Sequence, residues 1–298
     1  MQDLETRKGI ILAICAYSLW GVAPLYFKLL ADVSAFEILA HRVVWSFIFI
    51  IILMQFIGGF SRLAILLKQP KQLLVLALTS VLIALNWLIF IWAINNDHML
   101  DASLGYFINP LFNVLLGMIF LSERLRKLQW FAVTLAAIGV IIQLISFGSI
   151  PLVSLALAAS FGFYGLLRKK VNIDAKAGLL VETAILLPVA LGYLALTLDT
   201  ASANMFTNDI EMNLTLVAAG IVTTIPLLCF AGAAMRIPLS MLGFFQYIGP
   251  SIMFILAIYL FNEPFDIEKG VTFGFIWSAL VVFTADMALQ RRRRLKSA

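Results

Sequence analysis

Four ionisable side chains sit inside long apolar stretches of this chain: Glu37, His41 and Arg42 close together, and Glu182 far downstream. Among soluble enzymes such a set would suggest acid–base chemistry. Here the neighbours are Leu, Val, Ile, Phe and Trp, and an ionisable group at such depth marks a gate, a proton relay or an ion path. Glu37, His41 and Trp45 fall at i, i+4 and i+8 and share one helical face, with Arg42 on an adjacent face. His41 fits either a proton relay or a structural hydrogen bond to Glu37. Arg42, about 9 Å into its helix, fits either a gate or a side chain that snorkels to the nearby interface. Glu182 is about 7–8 Å from the opposite surface. It fits either a gate on that side or a bridge to Lys176 or another base of the adjoining loop. The two depths differ by about 15 Å at helical rise, so Arg42 and Glu182 are expected to serve separate ends without pairing.

Uncharged polar and aromatic residues supply a second set: Trp20, Asn86, Trp87, Tyr106, Asn109, Tyr164, Gln246 and Tyr247. Amides beside aromatic rings suit a small amphipathic solute in a central cavity, although Asn86 equally suits a bond to a neighbouring helix. Five of the nine prolines also lie in apolar runs: Pro24, Pro110, Pro188, Pro226 and Pro250. Each removes a backbone donor and frees the carbonyl four residues earlier. For Pro110 and Pro250 these are the carbonyls of Tyr106 and Gln246. Such carbonyls must face a cavity or be satisfied by a neighbouring helix. All five prolines are therefore candidate helix breaks.

Other chemistries find little support. The two histidines, His41 and His98, are in different segments, and no carboxylates cluster at metal-ligand spacing. Cys15 and Cys229 each lie in an apolar run and read as small packing residues. No phosphate-binding G-x-x-x-x-G-K-[ST] loop is present. No catalytic residue, metal or cofactor is expected, and a membrane-embedded enzyme is the weakest of the functional readings.

The elements that hold these residues follow from composition. Of 298 residues, 62% are hydrophobic and 12% charged, and the mean hydropathy is +1.02. Soluble proteins carry about 25% charge, so lipid must be the solvent. A helix needs about 20 apolar residues to cross the bilayer. Ten runs qualify: 9–28, 37–57, 72–95, 101–121, 128–146, 150–167, 177–198, 214–234, 240–261 and 270–289. The first is too long for a signal peptide's apolar region. With the N-terminus in the cytoplasm, 18 of the 21 Lys and Arg residues fall on that side, as the positive-inside rule requires. The even number of spans then places the C-terminus there too. The tail Arg291-Arg-Arg-Arg-Leu-Lys296 reads as a topology anchor on anionic lipid rather than a nucleic-acid patch.

An internal offset of 140 residues relates two halves, 1–148 and 149–298. It carries Pro110 and Glu123 onto Pro250 and Glu263, with Leu-Gly-Tyr-Phe before the first proline and Leu-Gly-Phe-Phe before the second. It also carries Lys28 onto Arg168 and Arg42 onto Glu182. Five spans per half is odd, so the halves have opposite orientation in the membrane. Inverted repeats of this kind build transporters.

The motifs Ala16-Tyr-Ser-Leu-Trp-Gly21, His41-Arg-Val-Val-Trp-Ser46, Asn86-Trp-Leu-Ile-Phe-Ile-Trp-Ala93, Ala102-Ser-Leu-Gly-Tyr-Phe-Ile-Asn-Pro110 and Leu242-Gly-Phe-Phe-Gln-Tyr-Ile-Gly-Pro250 resemble the EamA family of the drug/metabolite transporter superfamily. The resemblance runs over nearly the whole chain. It implies an all-α membrane protein of ten helices and two repeats in a bacterial plasma (inner) membrane. It further implies export or exchange of small metabolites or drugs, amino-acid-like or drug-like, with no catalytic residues. A non-transporting membrane regulator or a lipid scramblase is the alternative.

Overall fold

The computed structural model describes residues 2–30, 32–95, 99–148, 150–198, 204–260 and 267–297. All regular structure among the described residues is helical. The α-helices are α1 (Gln2–Phe27), α2 (Ala35–Ile57), α3 (Phe60–Leu66), α4 (Pro70–Asn95), α5 (Met99–Leu121), α6 (Lys127–Phe147), α7 (Leu152–Val171), α8 (Ala175–Leu196), α9 (Ile210–Ala234), α10 (Leu239–Gln246), α11 (Ile248–Tyr259) and α12 (Ile267–Ser297). Ten stretches are long and apolar enough to cross a membrane, at the positions read from the sequence to within a few residues. The ninth comprises α10 and the start of α11. The short helix α3, between the second and third spans, was not foreseen.

Local chemistry sets several ends. The Ser34 hydroxyl accepts from Glu37 N at the start of α2, and Asp174 and Asp209 carboxylates do the same for α8 and α9. Each satisfies a backbone donor that the first turn leaves unpaired. Gly148 and Asn172, both in the left-handed region, end α6 and α7.

The helices pack in a regular scheme. α6 lies on α12, α2 on α8, and α5 on α10. α5 also packs on α7 and α1 on α11; α1 meets α9 and α4 meets α7; α2 meets α9 and α4 meets α8. Where α2 and α9 cross, a Cβ on Gly220 would lie 2.6 Å from both Ser46 N and Trp45 Cβ, so only glycine permits this approach. The Ser46 hydroxyl donates to Gly220 O at 3.3 Å.

Ion pairs and hydrogen bonds gather the basic loops at one end of the bundle. Lys169 donates to Ala234 O and Ile237 O, and Lys176 to Gly58 O. Arg62 pairs with Asp174, Arg236 with Glu5, and Arg126 with Asp286. The N-terminus, the C-terminal helix and the loops after α2, α5, α7 and α9 thus share that end.

Candidate functional site

A central cavity forms between α1, α4, α5, α7 and the α10–α11 junction. Its empty volume, counting the open mouth, is about 870 Å³, and clefts between bundle helices are where small-molecule sites form. The lining runs from Tyr17 and Gln246 in mid-bundle to Phe27, the last residue of α1, and Ala102 in the first turn of α5. It therefore extends towards the end opposite the basic loops.

Six of the eight sequence-read solute residues line this cavity: Trp20, Asn86, Trp87, Tyr106, Asn109 and Gln246. Their amides are held by neighbours. Asn86 Nδ2 donates to Leu157 O at 3.0 Å and Ser160 Oγ at 2.9 Å on α7. Asn109 Nδ2 donates to Ala158 O at 3.3 Å. Asn113, one turn along α5, donates to both Asn109 Oδ1 and Gln246 Oε1. This buried chain ties α5, α7 and α10 together. Asn113 was missed in the sequence, although its i+4 spacing from Asn109 was a usable signal.

Tyr164 and Tyr247 are absent from the described lining. Tyr164 lies one ring behind it, stacked on Phe230, while Phe161 faces the cavity. Tyr247 donates its hydroxyl to Phe107 O at 3.2 Å across the α5–α10 contact. Both are fully buried tyrosines whose ring volume fills helix crossings. Tyr17 and Phe161 are lining residues that the sequence reading did not single out.

The prolines divide as well. Pro24 and Pro250 line the cavity. The chain stays α-helical through Pro24, Pro110, Pro188 and Pro226, so these four are not breaks. The helix is interrupted at Tyr247, three residues before Pro250. Neighbouring helices let a membrane helix continue past a proline, as at Pro110, whose carbonyl packs against Gly243.

The buried charges correct the expectation of two separate ends. Arg42 and Glu182 line the same smaller cavity, about 390 Å³ of empty volume, between α2, α4, α8 and α9, together with Ser46, Thr183 and Thr224. Counting residues from span ends gave the backbone depths but ignored the reach of an arginine and the direct packing of α2 on α8. Glu182 is paired with Arg168 at 3.5 Å, accepts from Thr79 Oγ1 at 2.6 Å, and has Tyr164 Oη at 3.5 Å. The bridging base is therefore Arg168, at the basic end of α7, and not Lys176. The Arg168 guanidinium fits because residue 178 is glycine; a Cβ there would lie 2.8 Å from Arg168 Cζ. The Arg42 guanidinium lies 4.0 Å over the Trp87 ring, a cation–π contact. Glu37 and His41 are buried on the same helix.

Glu123 acts at the basic end. Ser122 takes a left-handed conformation (φ 54°), and Gly117 leaves room for the carboxylate that turns back over it. Glu123 Oε1 then accepts from Leu239 N at 2.7 Å, and Oε2 from Ser240 N at 2.9 Å and Ser240 Oγ at 2.7 Å. Its offset partner Glu263 lies outside the described residues. No group of His, Cys, Asp or Glu suited to a metal is found among the described residues.

Residues 7–145 match the model of the EamA-like transporter family. An "Uncharacterized transporter" of Vibrio cholerae serotype O1 is 59% identical over 95% of this chain and 93% of its own length. The protein RarD of Escherichia coli K12 is 54% identical over 99% of this chain and all of its own. The chain belongs to the EamA-like transporter family. A solved crystal structure 18% identical to this EamA-like chain superposes with a TM-score of 0.68, covering 92% of this chain and 96% of that one; it bears on the fold alone. Family membership and the ten apolar helices make this EamA-like protein a multi-pass transporter of the bacterial inner membrane that handles small molecules.

Proposed function

We propose that this transporter is a secondary carrier, active or facilitative, that moves a small organic solute through the central cavity by alternating access. The observation that carries the reading is the cavity itself. It is lined from both halves of the chain, 1–148 and 149–298, and its described lining stops short of the basic end, where Glu123 ties the end of α5 to the start of α10. A site between the two halves, displaced towards one end of the bundle, is what one state of a carrier requires.

The two halves act as inverted repeats in this reading. Exchanging the first five spans for the last five maps the packing scheme onto itself: α1 on α9 becomes α7 on α4, and α5 on α7 becomes α11 on α1. The contact of Tyr247 with Phe107 spans the offset of 140 residues itself. Symmetric packing of this kind supports two conformations that swap roles. The basic end faces the cytoplasm, following the positive-inside rule.

One relative, 31% identical over 97% of this chain, bears the name "Chloramphenicol-sensitive protein RarD" in Pseudomonas aeruginosa. That name is compatible with a drug-like solute. Counterflow of radiolabelled solutes in vesicles reconstituted with the purified chain tests the carrier reading. Accumulation against empty-vesicle controls for at least one solute of a broad metabolite and drug panel is expected. Flux of lipid alone would place the chain with scramblases, and no flux at all would reject the carrier.

A further inference from the structure

The described lining of the central cavity contains aromatic rings, amides and aliphatic groups, and no Asp, Glu, Lys, Arg or His. Trp20, Trp87, Phe90, Tyr106 and Phe161 present ring surface on several sides. Arg42 belongs to the other cavity, and the Trp87 ring stands against its guanidinium at 4.0 Å. An ammonium or carboxylate entering the central cavity would lose its water and meet no opposite charge among the described lining residues, a costly transfer.

The polar groups that remain are unevenly satisfied. The Asn86 and Asn109 amide nitrogens are engaged with carbonyls of α7. Two lining residues also carry buried donors with no hydrogen-bond partner, Tyr17 Oη and Trp20 Nε1, both closed off from the open space of this state. They sit one turn apart on α1. A buried donor left unpaired is destabilising, so a solute acceptor that reaches either one as the rings turn gains more than an average hydrogen bond.

We propose that the cavity selects uncharged, ring-bearing solutes that offer hydrogen-bond acceptors, and rejects ions and zwitterions of the same size. This rests on the reading of the cavity as the solute site. An aromatic amide, ester or nitro compound has the required chemistry. A free amino acid does not, because both of its charges would be desolvated without partners.

The test is a matched set sharing one phenyl ring: phenylacetamide (neutral), phenylacetate (anion), phenethylammonium (cation) and phenylalanine (zwitterion). Binding to the purified full chain is read by calorimetry, with protein-free micelles as control. Phenylacetamide is expected to bind at least about tenfold more tightly than each charged analogue. The conservative variant Tyr17→Phe should weaken phenylacetamide roughly three- to tenfold, and Trp20→Phe provides a second donor deletion should the first fail to fold. Equal or tighter binding of any charged analogue overturns the proposal, as does binding of none of the four. Unchanged phenylacetamide affinity in a folded donor variant overturns the assigned donors. The carrier reading fails separately: counterflow of a charged solute would keep the carrier and defeat this selectivity.

Discussion

The Glu123 carboxylate caps the first turn of α10 through Ser240, accepting from both its backbone N–H at 2.9 Å and its hydroxyl at 2.7 Å. A negative group at a helix N-terminus satisfies free donors and meets the positive end of the helix dipole. The same carboxylate ties the end of α5 to the start of α10, the two helices that flank the cavity. If the basic end opens during transport, these bonds must break. Glu123→Ala should shift the population towards a state open at that end by about tenfold, the size of one good charge-assisted cap. The measurement is thiol labelling from the basic side at Ala23→Cys, a cavity position, with Cys15 and Cys229 replaced by alanine. Gly117→Val should reproduce the effect, because a Cβ at 117 would lie 2.7 Å from Glu123 Oε2. Labelling unchanged in both variants would remove Glu123 from the closure.

Much of this was legible in advance. The ten spans follow from apolar length alone, since the bilayer fixes how long a helix must be. Six of the cavity residues could be named because amides and aromatics in a lipid-solvated chain need a polar place to go. Tyr164 and Tyr247 could not be sorted from Tyr106 by type, because a tyrosine hydroxyl is satisfied equally well by a neighbour's carbonyl. The pairing of Glu182 with Arg168 depends on α4, which packs on both α7 and α8 and whose Thr79 bonds the same carboxylate; depth along separate helices does not encode this. Glu123 was visible as the end of a repeated Pro-to-Glu interval, yet its partner depends on where the chain re-enters at Leu239.

Arg42 and Trp87 form a contact whose loss should be measurable. Arg42 is 6% exposed, and its guanidinium lies over the indole at 4.0 Å. Cation–π contacts of this kind, away from water, are worth up to about 2 kcal/mol. Trp87→Leu should lower the Tm of the detergent-solubilised protein by several degrees, and Arg42→Lys should recover only part of the native value, because an ammonium does not stack as a planar guanidinium does. A Tm in Trp87→Leu equal to that of the native chain would mean the contact contributes nothing.

The α2–α9 crossing should be intolerant of a single methyl group. Gly220→Ala places a carbon 2.6 Å from Ser46 N, a backbone atom that cannot rotate away. Overpacking costs typically about 1–3 kcal/mol. Gly192 in α8 has nothing within 4 Å of its missing Cβ, so Gly192→Ala should be neutral or raise stability slightly, by up to about 1 kcal/mol. Comparing the two Tm values under one detergent separates crowding from the general effect of replacing a membrane glycine. Equal shifts in the two variants would contradict the close approach.

Asp174 gives the basic end a dependence on pH. Partial burial pushes its carboxyl upward, but the Ala177 N–H that it caps and the neighbouring Arg62 outweigh this and hold it below the ordinary aspartate value of 3.8. A carboxylate depressed in the folded state contributes stability that is complete above its unfolded value and disappears as pH falls through the folded one. The contribution should therefore persist at neutral pH and be lost only below about pH 4. Asp174→Asn keeps an amide oxygen able to cap α8 while removing the titration and the pairing with Arg62. Its Tm should lie below that of the native chain at pH 7, and the gap should narrow as both are taken from pH 5 towards pH 3. A gap that stays constant over that interval would show that the capping oxygen, and not the charge, accounts for the contribution of Asp174.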